Sequence, residues 1–413
     1  MSGGEVQASN SGYAAFTHRD FRLHCAARLL FGIALSMQTV AIGWYVYSVT
    51  KSPLALGLSG LSSFLPAALL ALYTGHVADS YNRRTIIALS FAGCAAGSSG
   101  LVGLVWMGSD NLIAIYACIL LSGASRAFAN PAAQAFTPNL VPREHFANAV
   151  TWYSSVWQGS RIVGPTLGGV LYIFGPSLPF MIVALSFASG ALLIASIKTD
   201  GKPQGGRGPI NWETLSAGLR FIWSRQVIFG AISLDLVAVL FAGATALMPV
   251  VAQDILHVGP WGLGLLRAAP ALGAVAMGAW VAYVPISGKA GKKMLWAVGI
   301  YGLATIGFGL SDHLLLSMLA LFVVGAADQI SVVVRHTMVQ AETPDEMRGR
   351  VAAVNSIFIS GSSDLGEFES GLTAAWWGTV PAIIVGGMAT IGFAGLWSVI
   401  FPQLRDRDQL LGK

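Results

Sequence analysis

Arg126, Arg161, Asp328, Asp364 and Glu367 lie within stretches otherwise apolar enough to cross a bilayer. A charge in hydrocarbon is costly, and it marks an ion path or binding site by default. Asp364 and Glu367 are three residues apart and share one helix face, whereas Glu369 projects elsewhere. Two close carboxylates in a low dielectric do not both ionise cheaply, so one is expected to hold a proton. The chemistry this pair can do is proton carriage. Its bland alternative is a structural acid bonded to Arg161, Ser362 or another helix. Arg126 and Asp328 occupy related positions in the two halves of the chain. They are expected to face a central cavity as a charge pair or relay, unless each has a local partner within its own half.

A second group is the polar island Gly75-His-Val-Ala-Asp79-Ser-Tyr-Asn-Arg83-Arg84, set between two long apolar stretches. Each flanking stretch is long enough to span, since about 20 apolar residues cross the hydrocarbon. The island is therefore a tight turn at one membrane face, and its arginines mark that face as cytoplasmic. Asp79, with Arg83 and Arg84 within a turn, is expected to form a conformational latch. A plain acid at the end of a helix is the alternative.

The elements that must position these residues follow from composition. The chain has 413 residues, 54% hydrophobic and 10% charged, against about 25% charged in soluble domains. The reading is an all-α membrane protein with twelve transmembrane helices in two pseudo-symmetric six-helix bundles. The spans are 21–48, 54–77, 85–107, 111–137, 146–174, 178–198, 226–252, 260–284, 294–311, 314–340, 350–374 and 380–402. Of the 24 Lys and Arg residues, only Lys51 falls in an outer loop when the amino terminus is placed inside. Both termini are therefore expected in the cytoplasm. The division is a tail at 1–20, a first bundle at 21–198, a linker at 199–225, a second bundle at 226–402 and a tail at 403–413. In the linker, Trp212, Leu215, Leu219 and Ile222 recur at helical spacing, which predicts a short helix on the cytoplasmic surface. Cys25, Cys94 and Cys118 show neither disulfide nor metal spacing and read as packing residues. The net charge of +5 is spread over short loops and does not point to nucleic acid.

The halves repeat. Gly123-Ala124 aligns with Gly325-Ala326, Pro142 and Glu144 with Pro344 and Glu346, and Gly159-Ser160, Gly164 and Gly169 with Gly361-Ser362, Gly366 and Gly371. Corresponding spans are six apart and cross in the same direction, which makes the repeat parallel and suits alternating access.

With this repeat, Gly75-x-x-x-Asp79-x-x-x-Arg83-Arg84 resembles the loop signature between spans two and three of the major facilitator superfamily. The second-half counterpart, near Gly278 to Lys293, lacks the acid. Gly164-Pro165-Thr-Leu-Gly168-Gly169 resembles an element of proton-driven exporters, with Ser160 where that pattern often has Gly. Ala127-Phe-Ala-Asn-Pro131, Thr137-Pro-Asn-Leu-Val-Pro-Arg-Glu144, Thr343-Pro-Asp-Glu-Met-Arg-Gly-Arg350 and Asp364-Leu-Gly-Glu-Phe-Glu-Ser-Gly371 are similar to the bacterial enterobactin-exporter and macrolide-efflux-like branch. The resemblance implies proton-driven export of a small amphipathic molecule across a bacterial inner membrane, by a monomer, with no cofactor beyond the proton gradient. Trp157, Asn130, Gln134 and Asn355 are candidates to line the cargo cavity. An uptake symporter, a facilitator or a non-transporting sensor on the same fold is the competing reading. No nucleophile–base pair, metal motif or nucleotide loop suggests an enzyme.

Overall fold

In the computed structural model, the described residues are 12–202, 212–241, 243–284, 286 and 288–408. Parts of the expected tails and linker, at 1–11, 203–211 and 409–413, lie outside them. The described chain is helical, with no strand.

Six long helices come first: α1 (Arg19–Thr50), α2 (Pro53–Ser80), α3 (Arg83–Trp106), α4 (Leu112–Phe136), α5 (Phe146–Tyr172) and α6 (Ser177–Ala195). The short α7 (Trp212–Ser224) follows. Then come α8 (Gln226–Phe241), α9 (Pro260–Tyr283), α10 (Ala290–Leu310), α11 (Leu314–Glu342), α12 (Asp345–Trp377) and α13 (Thr379–Ile400). Among the described residues, ten helical segments are long and apolar enough to cross a membrane. The two long helices that miss the apolar criterion are α5 and α12, which carry Arg161 and the Asp364, Glu367 and Glu369 cluster. At 27 and 33 residues both have ample length to span. Large apolar side chains such as Leu185, Leu192, Trp296 and Leu315 are exposed on the helix exteriors, as a lipid solvent allows.

One expected span is not a continuous helix. The sequence reads 226–252 as one element, but α8 stops at Phe241. The chain resumes as a 3-10 turn over Ala244–Leu247 and ends in a π-helical segment, Val251–Ile255. Two causes are visible. A Cβ on Gly243 would sit 2.5 Å from the Gly366 carbonyl, so α8 and α12 touch by their backbones at the break. Pro249 also lacks the N–H that would reach back to Thr245. The freed Thr245 carbonyl accepts from Arg267 Nη2 of α9 at 3.3 Å.

The chain forms two compact units. One contains the described residues of Met1–Ala41 and Leu65–Ile210, the other those of Ile42–Phe64 and Asn211–Lys413. The first core stacks Phe31 on Phe91, with centroids 4.5 Å apart, and closes around Phe21, Phe136 and Phe187. Small residues let α3 and α4 approach: Gly93, Gly97 and Gly100 face Ser125, Ser122 and Cys118. Cys94 packs in the same contact, and all three cysteines are free thiols.

In the second unit, the segment 42–64 is pinned by polar contacts. The Tyr47 hydroxyl donates to Asp254, and Lys51 Nζ donates to Gln253 Oε1 at 2.9 Å. The surface helix α7 packs Leu219 and the fully buried Ile222 against Ile228, Val339, Val351 and Val354. It therefore belongs to the protein core on this face rather than to a lipid surface alone. The Trp212 and Leu215 side chains lie outside the described residues.

Candidate functional site

The island is a two-residue turn. Asn82 caps α3 by accepting from the Thr85 amide at 3.3 Å. Arg83 Nε donates to the Ala78 carbonyl at 3.2 Å and its Nη1 to the Ala135 carbonyl at 2.9 Å. Arg84 Nη1 donates to the Ile197 carbonyl. All three carbonyls lie at or just past helix C-termini, where the last groups have no intrahelical partner and the dipole favours a cation. Arg83 thus ties the ends of α2 and α4, and Arg84 ties α3 to the chain leaving α6. Gly75 and Asp79 are half-buried in the last turns of α2. Both guanidinia are held by carbonyls and not by Asp79.

Gly164, Pro165, Gly168 and Gly169 are buried on one stripe of α5. A Cβ on Gly164 would sit 2.6 Å from Ser36 Cβ, and one on Gly168 would sit 3.0 Å from the Met37 carbonyl. The element is a backbone-to-backbone crossing of α1 and α5. Any larger residue would have to push the helices apart.

Just below that crossing is a buried cation. The Arg28 guanidinium of α1 lies 3.9 Å from the Trp157 ring centroid and 4.7 Å from that of Tyr153. Its Nη1 donates to Asn130 Oδ1 at 3.4 Å. His24, one turn earlier, stacks on Tyr153 and touches Thr137 Oγ1 at 3.2 Å. Among the described residues, Arg28 Nε, His24 Nδ1 and the Tyr153 hydroxyl have no hydrogen-bond partner. Two expected cavity residues, Trp157 and Asn130, are therefore brought together on one cation. Gln134 is exposed one turn further along α4, Arg126 is half-buried on α4 and Arg161 is exposed on α5.

The second unit holds its own buried cation. Arg335 of α11 is 2% exposed, and its Nη2 lies 3.1 Å from Asp235 Oδ2 of α8. Its Nη1 donates to Asn355 Oδ1 of α12 at 3.4 Å. Asn355 also lines a cavity of about 540 Å³ with His336, Thr337, Gln340, Thr343 and Arg348. That volume falls in the ordinary range for small-molecule sites, and no carboxylate is among the lining residues. Asp328 is half-buried on α11. Glu367 is half-buried on α12, and Arg267 is half-buried on α9. The Asp364 side chain lies outside the described residues. Among the described residues, no His, Cys, Asp and Glu cluster is placed to hold a metal ion.

Sequence reasoning marks Arg28, Asp235 and Arg335 as costly in-span charges but does not place them in a site. Arg28 has a local signal, since Tyr153 and Trp157 are one helical turn apart and present two rings on one face. The Asp235–Arg335 pair joins residues too far apart in the chain for any spacing rule to reveal it.

The transmembrane secretion effector family, a group of major facilitator transporters, matches residues 10–410. The enterobactin exporter EntS of Citrobacter koseri is 30% identical over 339 residues, covering 81% of this chain and 80% of that protein. EntS of Escherichia coli O81 is 29% identical over 340 residues, with the same coverage. Among solved structures, a bacterial homologue of the human lysosomal transporter Spinster superposes with a TM-score of 0.74 at 16% identity, covering 94% of this chain and 98% of that one. A bacterial homologue of the iron transporter ferroportin gives 0.70 at 14% identity, with 94% and 99% covered. The last two establish the fold alone. A family match over nearly the whole length, on a chain of long apolar helices, makes this protein a multi-pass membrane transporter, and the chain belongs to the transmembrane secretion effector family.

Proposed function

We propose that this protein is a proton-coupled exporter of a small amphipathic molecule, of the siderophore or macrolide-like class, in a bacterial inner membrane. The observation that carries the reading is the similarity to enterobactin exporters along four-fifths of both chains. It is supported by the tight α1–α5 crossing at Gly164 and Gly168 and by buried charges in both units. In this reading both termini are cytoplasmic and the working unit is a monomer. Gly75, Asp79, Arg83 and Arg84 form the conformational latch, with the arginines releasing the helix-end carbonyls as the cycle proceeds. Trp157, Asn130, Gln134 and Asn355 contact cargo, with the acid-free cavity beside Asn355 favouring neutral or anionic polar groups.

The experiment is cargo accumulation in vesicles of opposite orientation, with enterobactin as the first probe and erythromycin as the second. Export predicts accumulation in energised everted vesicles and none in right-side-out vesicles. Accumulation confined to right-side-out vesicles would establish the uptake alternative. No movement of either probe in either orientation, with correctly inserted protein, would remove siderophores and macrolides as the cargo class.

A further inference from the structure

Behind the Asp235–Arg335 pair lies a second, much smaller cavity of about 10 Å³ within the second unit. Its walls carry Asp235 of α8, Tyr301 of α10, and Asp328 and Ser331 of α11, among apolar Ala238, Val239, Val298 and Ala327. The volume is close to that of one water-sized probe, which excludes any organic cargo. Asp235 is 6% exposed and Ser331 is 3% exposed. Among the described residues, the Ser331 hydroxyl has no hydrogen-bond partner, and neither does Arg335 Nε beside it. A buried hydroxyl without a partner costs about 1–3 kcal/mol, so a native core keeps one only where something else fills the need. Two carboxylates bordering one small cavity repel one another when both are charged, and one proton relieves that repulsion.

We propose that Asp235 and Asp328 form a coupled acid pair that binds and releases one proton through this cavity, with Ser331 and Tyr301 as its hydroxyl neighbours and Arg335 as its fixed counter-charge. The inference rests on the proton-antiport reading for its purpose but not for its chemistry. The charged and titratable groups around the cavity come from several helices. Tyr301 comes from α10, Asp328 and Arg335 come from α11, and α12 contributes neutral Asn355 through Arg335. His336, the residue after Arg335, faces the larger cavity. A sodium ion is disfavoured because the Arg335 guanidinium already sits 3.1 Å from the Asp235 carboxylate. The proton bound is shared across the pair rather than owned by either member.

Infrared difference spectroscopy of the purified protein, between acidic and alkaline buffer, reads protonated carboxyl groups directly. The wild type is expected to show a carboxylic-acid C=O band that titrates. Asp235→Asn and Asp328→Asn are each expected to abolish most of it, and Asp254→Asn, at an exposed acid, to leave it in place. Should Asp235→Asn fail to fold because Arg335 loses its partner, Asp328→Asn alone decides, since it leaves that ion pair intact. A band unchanged in Asp328→Asn overturns the proposal. Replacing buffer protons with sodium at fixed pH must not shift the band; a sodium-dependent shift would identify a metal-ion site and also overturn it. If the band behaves as expected but cargo movement ignores a pH gradient, the acid pair stands and the antiport reading falls. If a pH gradient drives cargo but the band persists in Asp328→Asn, the antiport reading stands and this assignment falls.

Discussion

Each unit buries one arginine on an asparagine, and the two are held in different ways. Arg28 donates to Asn130 and Arg335 to Asn355, both at 3.4 Å, and among the described residues both leave Nε without a partner. Arg28 rests on the faces of Tyr153 and Trp157, with no carboxylate in ion-pair range among the described residues. Arg335 instead faces Asp235. Aromatic faces hold a cation by a quadrupole that no proton can remove. A carboxylate holds it only while ionised. The contrast separates a permanent anchor, in the unit with the glycine crossing, from a switchable pair, in the unit with the acid-lined cavity.

That contrast is most exposed to the loss of Asp235. Asp235→Asn strands a buried guanidinium and is expected to destabilise the protein by about 3–5 kcal/mol, read as a large fall in thermal unfolding midpoint in detergent. Arg28→Met strands no acid and should cost clearly less than Arg335→Met; equal losses would show that the two cations are held alike. Next in size is the anchor's support. Gly168→Val forces a side chain against the Met37 backbone and is expected to cost about 1–3 kcal/mol and to slow transport in proportion to the displaced helix. Trp157→Leu removes one ring from Arg28 and is expected to cost about 1–2 kcal/mol, with no change in the proton dependence of transport. A changed pH profile in Trp157→Leu would mean that the first unit also titrates. Asp79→Ala should insert normally and impair transport, while Arg83→Gln should lose about 1 kcal/mol from its carbonyl contacts. The smallest effect belongs to Lys51→Ala, because its pair with Asp254 is half-exposed at 3.7 Å and such pairs contribute about 0–1 kcal/mol.

Much of the fold was legible because a lipid solvent simplifies the reading. The long apolar runs end within a few residues of the helices, since polar turns such as Tyr81-Asn82 cannot enter hydrocarbon. The break at Gly243 was not legible, although Gly243 and Pro249 stood in the sequence; the backbone contact of Gly243 with Gly366 of α12 is a property of the fold. The same limit applied to the charges. Their cost in a membrane identified Asp328 and Glu367 individually, but partnership is a three-dimensional property. Arg83 and Arg84 lie one turn from Asp79, yet their guanidinia reach carbonyls of helix ends distant in the chain.

The division of labour meets its most direct test in energised everted vesicles carrying a fluorescent reporter of the internal pH gradient. Adding enterobactin to wild-type vesicles should discharge part of the gradient as protons leave against the entering cargo. Arg28→Met should retain that discharge per molecule moved, and Asp328→Asn should move cargo only downhill with no discharge. A full discharge in Asp328→Asn, or its disappearance in Arg28→Met alone while cargo still moves, would contradict the account.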